Sequence, residues 1–351
     1  MPCSEPSTLS DWLARLQTLH PKAVDLGLER VYCVARAMGL LHSPSPISHD
    51  YSGCLNLPGV RVVTVAGTNG KGSCCKIVEQ CLLASGLTVG SYTSPHLFHY
   101  CERITINGVA VSELQVCQAF VEIDRARQEV TLTYFEFSTL AALWLFQQQQ
   151  VDIVILEVGM GGRLDATNIV DADIAVITSI ALDHQHWLGS DRTSIAAEKA
   201  GICRRGRALV CADEDPPETL LILDEDHPCY WIGKQFSSRQ QLKKHWLWQS
   251  STEDRDYLLP EPQLPLPSVA AGLQVMSLLN ALPTIKQLTK IIAQTTLTGR
   301  YQQLVIQGHH CIFDVAHNPA ATQLLAERLK QTTIPGKIRA VFAVIDRKSV
   351  V

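Results

Sequence analysis

"VAGTNGKGSCC", residues 65–75, is the stretch whose reading decides the fold. An apolar run, "VRVVTVA" (60–66), delivers a glycine-broken loop, and an apolar-faced helix bearing Cys74, Ile77, Val78, Cys81 and Leu82 follows. Gly67, Gly70 and Gly72 let backbone N–H groups turn inward around an anion, and a helix N-terminus adds a favourable dipole. Lys71 can set a positive charge against the outer phosphates of a nucleotide. The spelling departs from the usual phosphate-binding loop: Gly72 stands between Lys71 and Ser73, and Val65 stands six positions before the lysine where glycine is usual. An ordinary glycine turn with a surface lysine is the bland alternative, and the strand–loop–helix context argues against it. The departure leaves one question, which is where the hydroxyl that normally holds magnesium comes from.

Outward from the loop, apolar runs of strand length alternate with helical stretches. The strands expected are 60–66, "VDIVILEV" (151–158), "DIAVITSI" (173–180), "RALVC" (207–211), "CIFDVA" (311–316) and "IRAVFAVI" (338–345). Several are apolar at nearly every position, as strands buried on both faces of a parallel sheet should be. Helices are expected over 112–129 and 137–149. This alternation predicts an α/β protein with an open, mainly parallel sheet. Residues 43–58 read as a turn-rich loop, and 251–267 are charged and then proline-rich, followed by a helical run from Ser268. "LTGRYQQ" (297–303) leads into another strand and helix. We expect one domain over 1–296 and the start of a smaller α/β domain over 297–351.

Composition bounds the function. At 351 residues, 46% hydrophobic and 18% charged, the chain is a globular protein with a full core. A net charge of −4 gives no support for nucleic acid binding, and no basic run suggests an acidic membrane surface. The first twenty residues lack a secretory pattern, and no apolar run reaches the roughly 18 residues needed to span a bilayer. The twelve cysteines form no CxxC pair and no zinc spacing. A reduced cytoplasmic protein is the expectation, with thiols filling core space.

In open α/β sheets, ligands bind outside the carboxyl ends of the strands. Glu157 follows "VDIVIL"; Asp183, His184 and His186 follow "DIAVITSI"; Asp314 and His317 follow "CIFDVA". Taken singly, Glu157 reads as a solvated cap and His184 as a packed side chain. Together, at strand ends around a phosphate loop, they read as oxygen and nitrogen donors for a divalent ion. His186 keeps the packed reading. Lys199, in "SIAAEKAGI" (194–202), reads from the residues alone as a solvated cation on an apolar-faced helix.

The motifs "DLGLERV" (25–31), "TVAGTNGKGS" (64–73), "SPHL" (94–97), "ERITING" (102–108), "LTYFEF" (132–137), "EVGMGGRLDATN" (157–168), "SIALDH" (179–184), "EKAGI" (198–202) and "FDVAHNP" (313–319) occur in order. Together they resemble the dihydrofolate synthase/folylpolyglutamate synthase family of the Mur ligase superfamily, from about residue 10 to about 340, apart from the 43–58 loop and most of 213–265. "GTNGKGS" fits the wider superfamily, whereas "LTYFEF" with "GGRLDATN" points to the folate branch. The resemblance implies a Mur ligase-like ATPase domain and a smaller C-terminal α/β domain. It also implies an ATP-dependent ligase that joins L-glutamate to dihydropteroate and to folates through an acyl phosphate, working as a monomer. Two magnesium ions are implied, with room for a monovalent cation.

Residue by residue, the resemblance assigns the ATP phosphates to Thr68, Asn69, Gly70, Lys71, Gly72 and Ser73. Ser94, Glu157 and His184 become magnesium ligands, so Ser94 is the answer to the missing hydroxyl. Lys199 becomes a carbamylated lysine. The pterin substrate falls to Asp25, Leu26, Gly27 and Leu28, to Thr133, Tyr134, Phe135 and Glu136, and to Leu164, Asp165 and Ala166. Arg300 and Asp314 are expected to contact the nucleotide, and His317 to stand at the reaction centre.

Two departures qualify these expectations. Ser268 occupies a position where the family usually has asparagine as a nucleotide contact; one hydroxyl cannot supply an amide's paired donor and acceptor, so weaker or differently oriented nucleotide binding through Ser268 is expected. The chain also stops at "AVFAVIDRKSVV", where relatives continue, so an incomplete C-terminal domain is expected. Two other readings therefore stay open: a non-catalytic nucleotide- and pterin-binding remnant, and a Mur-type ligase acting on another carboxylate.

Overall fold

The computed structural model describes residues 6–42, 50–241, 244–331 and 338–341. Packing divides the chain into two units, Met1–Thr295 and Thr296–Val351.

The first unit is built on an eight-stranded sheet. Its strands are β1 (Arg61–Ala66), β2 (Val89–Tyr92), β3 (Ile104–Ile106), β4 (Val109–Ala110), β5 (Ile153–Glu157), β6 (Ile174–Ile177), β7 (Ala208–Cys211) and β8 (Cys229–Trp231). They lie in the order β4-β3-β2-β5-β1-β6-β7-β8. β2, β5, β1, β6, β7 and β8 pair parallel, while β3 and β4 complete one edge antiparallel. Every residue of β2, β5 and β6, and all of β1 after Arg61, is buried, which requires cover on both faces.

The helices of this unit are α1 (Leu9–Leu19), α2 (Glu29–Ala37), α3 (Lys71–Ala84), α4 (Glu113–Arg127), α5 (Tyr134–Gln148), α6 (Gln185–Leu188), α7 (Arg192–Ala200), α8 (Glu218–Leu221), α9 (Leu266–Leu278) and α10 (Ile285–Gln294). Val62, Val154 and Leu156 share a core with Trp12, Val31, Phe120, Phe137 and Phe146 from α1, α2, α4 and α5. α9 packs closely on α3, because a Cβ at Gly272 would come within 2.9 Å of Ile77 Cγ2. A separate antiparallel sheet, β9 (Phe236–Gln241), β10 (His245–Ser250) and β11 (Tyr257–Pro260), precedes α9.

The second unit contains the antiparallel hairpin β12 (Gln302–Ile306) and β13 (His309–Phe313), followed by α11 (Pro319–Gln331). No helix is long and apolar enough to cross a membrane among the described residues.

The open, mainly parallel α/β sheet is as expected, with local differences. α5 starts at Tyr134 rather than 137, because Thr133 and Glu136 form a reciprocal capping box that initiates the helix early. β13 ends at Phe313, which leaves Asp314 beyond the strand. The charged and proline-rich 251–267 segment contains β11, and α9 begins two residues before Ser268. Residues 43–49 of the expected loop, and 342–345 of the expected last strand, lie outside the described residues; 338–341 carry no strand pairing.

Candidate active site

β1 ends at Ala66, and the loop that follows is stitched to the end of β6. The Thr68 N–H donates to Ser179 O at 2.8 Å, while Thr68 Oγ1 donates to Ala181 O and accepts from the Ala181 N–H. Asn69 N–H donates to Ser179 Oγ, and the Thr178 and Ser179 hydroxyls both donate to Asn69 O. This lacing leaves no room for side chains on two glycines. A Cβ at Gly67 would overlap Thr178 Oγ1, and one at Gly70 would overlap Ser268 Oγ. Gly70 also holds φ at +85° as the residue preceding α3, a region that favours glycine. Lys71 folds back over the loop, its Nζ donating to Gly67 O at 3.0 Å. Ser268, on the first turn of α9, lies against the loop at Gly70.

Ser73 Oγ is buried in the first turn of α3 with no hydrogen-bond partner. A buried hydroxyl left unsatisfied costs about 1–3 kcal/mol, and an oxygen of a phosphate in the cradle would relieve that cost.

Glu157 ends β5, directly across from Val65 on β1, and is only 5% exposed. Its Oε2 accepts the Ser94 N–H at 3.1 Å, so the expected hydroxyl donor and carboxylate donor are neighbours. Glu157 and Lys71 both act electrostatically on Cys75; burial first, and Glu157 next, push the Cys74 thiol up to about 12. A carboxylate this buried needs positive charge nearby. A hard divalent ion suits carboxylate and hydroxyl oxygen ligands. Among the described residues, no three His, Cys, Asp or Glu side chains gather in a metal-holding group. The expected set instead combines a hydroxyl, a carboxylate and an imidazole.

His184 caps α6 with φ +50°, and its N–H donates to Asp183 Oδ1 at 2.8 Å. The segment leading to it is clamped: Ile180 N–H donates to Asp213 Oδ2 at 2.6 Å, and Arg192 Nε donates to Ile180 O at 3.0 Å, while Arg192 pairs with Asp213. Sequence reading missed this clamp, since nothing in the spacing of Arg192 and Asp213 marks a shared target.

Lys199 on α7 is 2% exposed, which corrects its reading as a solvated cation. Burial, and then the charge of Lys71, lower its pKa from 10.5 to about 7; Asp183 and Asp165 oppose the shift. The residues that act on it, Lys71, Asp183 and Asp165, come from other parts of the chain, so periodicity alone does not show its enclosure.

The three segments expected to bind the pterin are linked by contacts. Phe135 lies against Gly159, whose added Cβ would come within 2.7 Å of the Phe135 ring and 3.2 Å of Asp165 Oδ2. Asp165 is buried, accepts N–H bonds from Met160 and Thr167 and the Thr167 hydroxyl, and burial raises its pKa. Ala166 begins the short turn that Asp165 caps, directly after Leu164. Tyr134 stacks under the Arg103 guanidinium, 5.4 Å from the ring centre. Asp25 accepts from Lys22 and pairs with Arg30, and Leu28 precedes α2 as a buried residue. Arg30 also pairs with Glu136.

Arg300, Asp314 and His317 belong to the second unit. Asp314 accepts the Tyr301 N–H and the Ala316 N–H, each at 2.8 Å, so it ties the start of the hairpin to its end. Arg300 Nη1 donates to Gly299 O, and His317 Nδ1 lies 2.9 Å from Val315 O.

Comparison with known proteins agrees with this fold. Residues 65–255 match the Mur ligase middle domain. The chain is 41% identical over 345 residues to the dihydrofolate synthase/folylpolyglutamate synthase of Escherichia coli (strain K12), covering 98% of this chain and 78% of that protein. A solved structure of E. coli FolC with DHPP and ADP superposes with a TM-score of 0.84 at 41% identity, over 95% of this chain and 77% of that one. A bifunctional folylpolyglutamate synthase/dihydrofolate synthase with Mn, AMPPNP and L-glutamate bound gives a TM-score of 0.80 at 42% identity, over 94% and 76%. Because these matches cover nearly the whole of this chain and about three quarters of the relatives, the chain belongs to the dihydrofolate synthase/folylpolyglutamate synthase family of Mur-type, ATP-dependent amide-forming ligases.

Proposed function

We propose that this chain uses ATP to phosphorylate the carboxylate of dihydropteroate, and of folates, and that the amine of L-glutamate then displaces phosphate to form an amide. A carboxylate is a poor electrophile, and transfer of the γ-phosphoryl group converts it into a mixed anhydride while ADP leaves. The glutamate nitrogen forms the new C–N bond, the C–O bond to phosphate breaks, and a proton is released. The protein's task is to hold three anionic reactants together and offset their charge.

Thr68 to Ser73 would cradle the phosphates, with Lys71 as counter-charge and the Ser73 hydroxyl finding its partner there. Ser94, Glu157 and His184 would hold magnesium, which when bound neutralises phosphate charge and polarises the transferring group. Lys199, with its pKa near 7, is neutral often enough to attack carbon dioxide; the N–C bond forms, a proton leaves, and a carbamate replaces the amine. That carbamate would offset the charge of Lys71 instead of adding to it. Asp25 to Leu28, Thr133 to Glu136 and Leu164 to Ala166 would surround the pterin. Arg300 and Asp314 as nucleotide contacts, and His317 at the reaction centre, are assignments that rest on the family resemblance. We propose a monomer acting in the cytoplasm, where ATP is supplied; sedimentation at working concentration tests the oligomeric state.

The observation that supports this reading is a buried Glu157 at the end of β5, beside β1, whose following loop carries Lys71, together with an enclosed Lys199 on α7 that feels the charge of Lys71. Incubation with ATP, magnesium, glutamate and dihydropteroate should yield ADP and the amide in equal amounts. Folded protein that yields neither overturns the proposal.

A further inference from the structure

Two of the proposed pterin-binding segments, Asp25–Leu28 and Thr133–Glu136, are far apart in sequence, and each brings a carboxylate. Both carboxylates already have protein partners. Glu136 Oε2 accepts the Thr133 N–H at 2.7 Å, and Glu136 Oε1 lies 3.2 Å from Arg30 Nη2. Asp25 is held by Lys22 at 3.0 Å, by His20 Nε2 at 3.2 Å and by Arg30 Nη1 at 2.9 Å. The Lys22 hydrogen bond leads the contacts that keep the Asp25 carboxyl below its ordinary range.

Arg30 touches both segments. Its Nη2 donates to Asp25 O at 2.6 Å while its Nη1 meets the Asp25 carboxylate, so backbone and side chain of one segment are gripped together. The same Nη2 faces Glu136 on α5. A second strut runs parallel: His20 Nδ1 is 2.9 Å from Thr131 Oγ1, two residues before the α5 cap, while its other nitrogen faces Asp25. The planar guanidinium suits this task, because it presents several donors in a fixed fork, whereas a lysine offers one point charge. The contact with Glu136 is not an aligned hydrogen bond: Glu136 Oε1 and Arg30 Nε are both buried without one. The bracket is therefore closed by charge on the α5 side and by hydrogen bonds on the Asp25 side.

We infer that Arg30 is a positioning residue for the pterin substrate: it sets the spacing between the Asp25–Leu28 loop and the first turn of α5, and the Asp25 and Glu136 carboxylates serve that bracket instead of contacting the pterin. The inference rests on the substrate reading above. Its test is a split among Michaelis constants. Arg30→Met should raise KM for dihydropteroate about tenfold, the scale of one lost charge-assisted hydrogen bond. KM for ATP and for glutamate should stay within about twofold, and Arg30→Lys should recover part of the loss. A general structural role predicts instead that the three KM values move together, or that thermal stability falls with all three unchanged; either result overturns the bracket.

Phe135→Ala and Leu164→Ala separate the two levels of the argument. If they raise the dihydropteroate KM and Arg30→Met does not, the bracket has failed alone. If none of the three variants moves it, the substrate reading has failed as well.

Discussion

Lys199→Met should stabilise the protein near neutral pH while abolishing ligation. Lys199 is almost wholly enclosed, and its pKa falls from 10.5 to about 7 on burial beside Lys71. Between those values the unfolded chain binds more protons than the folded one, so wild-type stability rises with pH across that window. Below pH 7 both states are protonated, and the folded state carries the full penalty, on the order of 5 kcal/mol. Methionine is close in length and has no charge to desolvate. In carbon dioxide-free buffer, urea unfolding should show the variant more stable by several kcal/mol at pH 6.5, with the gap closing towards pH 10.5. Bicarbonate should stabilise the wild type and leave the variant unchanged, because the amine can take up carbon dioxide and methionine cannot. Parallel stability curves across pH, with the variant below the wild type throughout, would refute the reasoning.

Gly70→Ala should weaken ADP binding by calorimetry at least about tenfold, since alanine at φ +85° costs about 1–2 kcal/mol and its Cβ overlaps Ser268 Oγ. Asp213→Ala should lower stability by about 1–3 kcal/mol in urea titration by leaving the Ile180 N–H unsatisfied. Turnover should fall with it because the segment leading to Asp183 and His184 loses its clamp; Asp213→Asn, which keeps an acceptor, should do less. Glu157→Gln should raise the magnesium concentration for half-maximal ADP formation at least about tenfold. Melting should move little, because an amide oxygen can still accept the Ser94 N–H.

The sheet was legible where its strands are buried on both faces. β1, β5, β6 and β7 announce themselves as apolar runs, and the phosphate loop fixes the direction of β1 and α3. β2 was not legible: it has four residues, and one is Gly90, kept small by the Phe146 ring packed against it. The β9–β11 sheet was hidden for the opposite reason, since strands such as "FSSRQQ" are half exposed and carry too few apolar residues to stand out. For the candidate site, strand-end position singled out Glu157 and His184, whereas Lys199 was singled out only through the family resemblance. Neither could show that Lys199 is enclosed, or that Arg192 and Asp213 hold both backbone groups of Ile180, because those facts depend on strands brought together by the fold.

The most direct test of the central claim follows an oxygen atom. Dihydropteroate labelled with oxygen-18 in its carboxylate, incubated with ATP, magnesium and glutamate, should place one labelled oxygen in each phosphate released, because the anhydride oxygen leaves with phosphorus. Unlabelled phosphate accompanying full amide formation would contradict activation of the acid by ATP at this site.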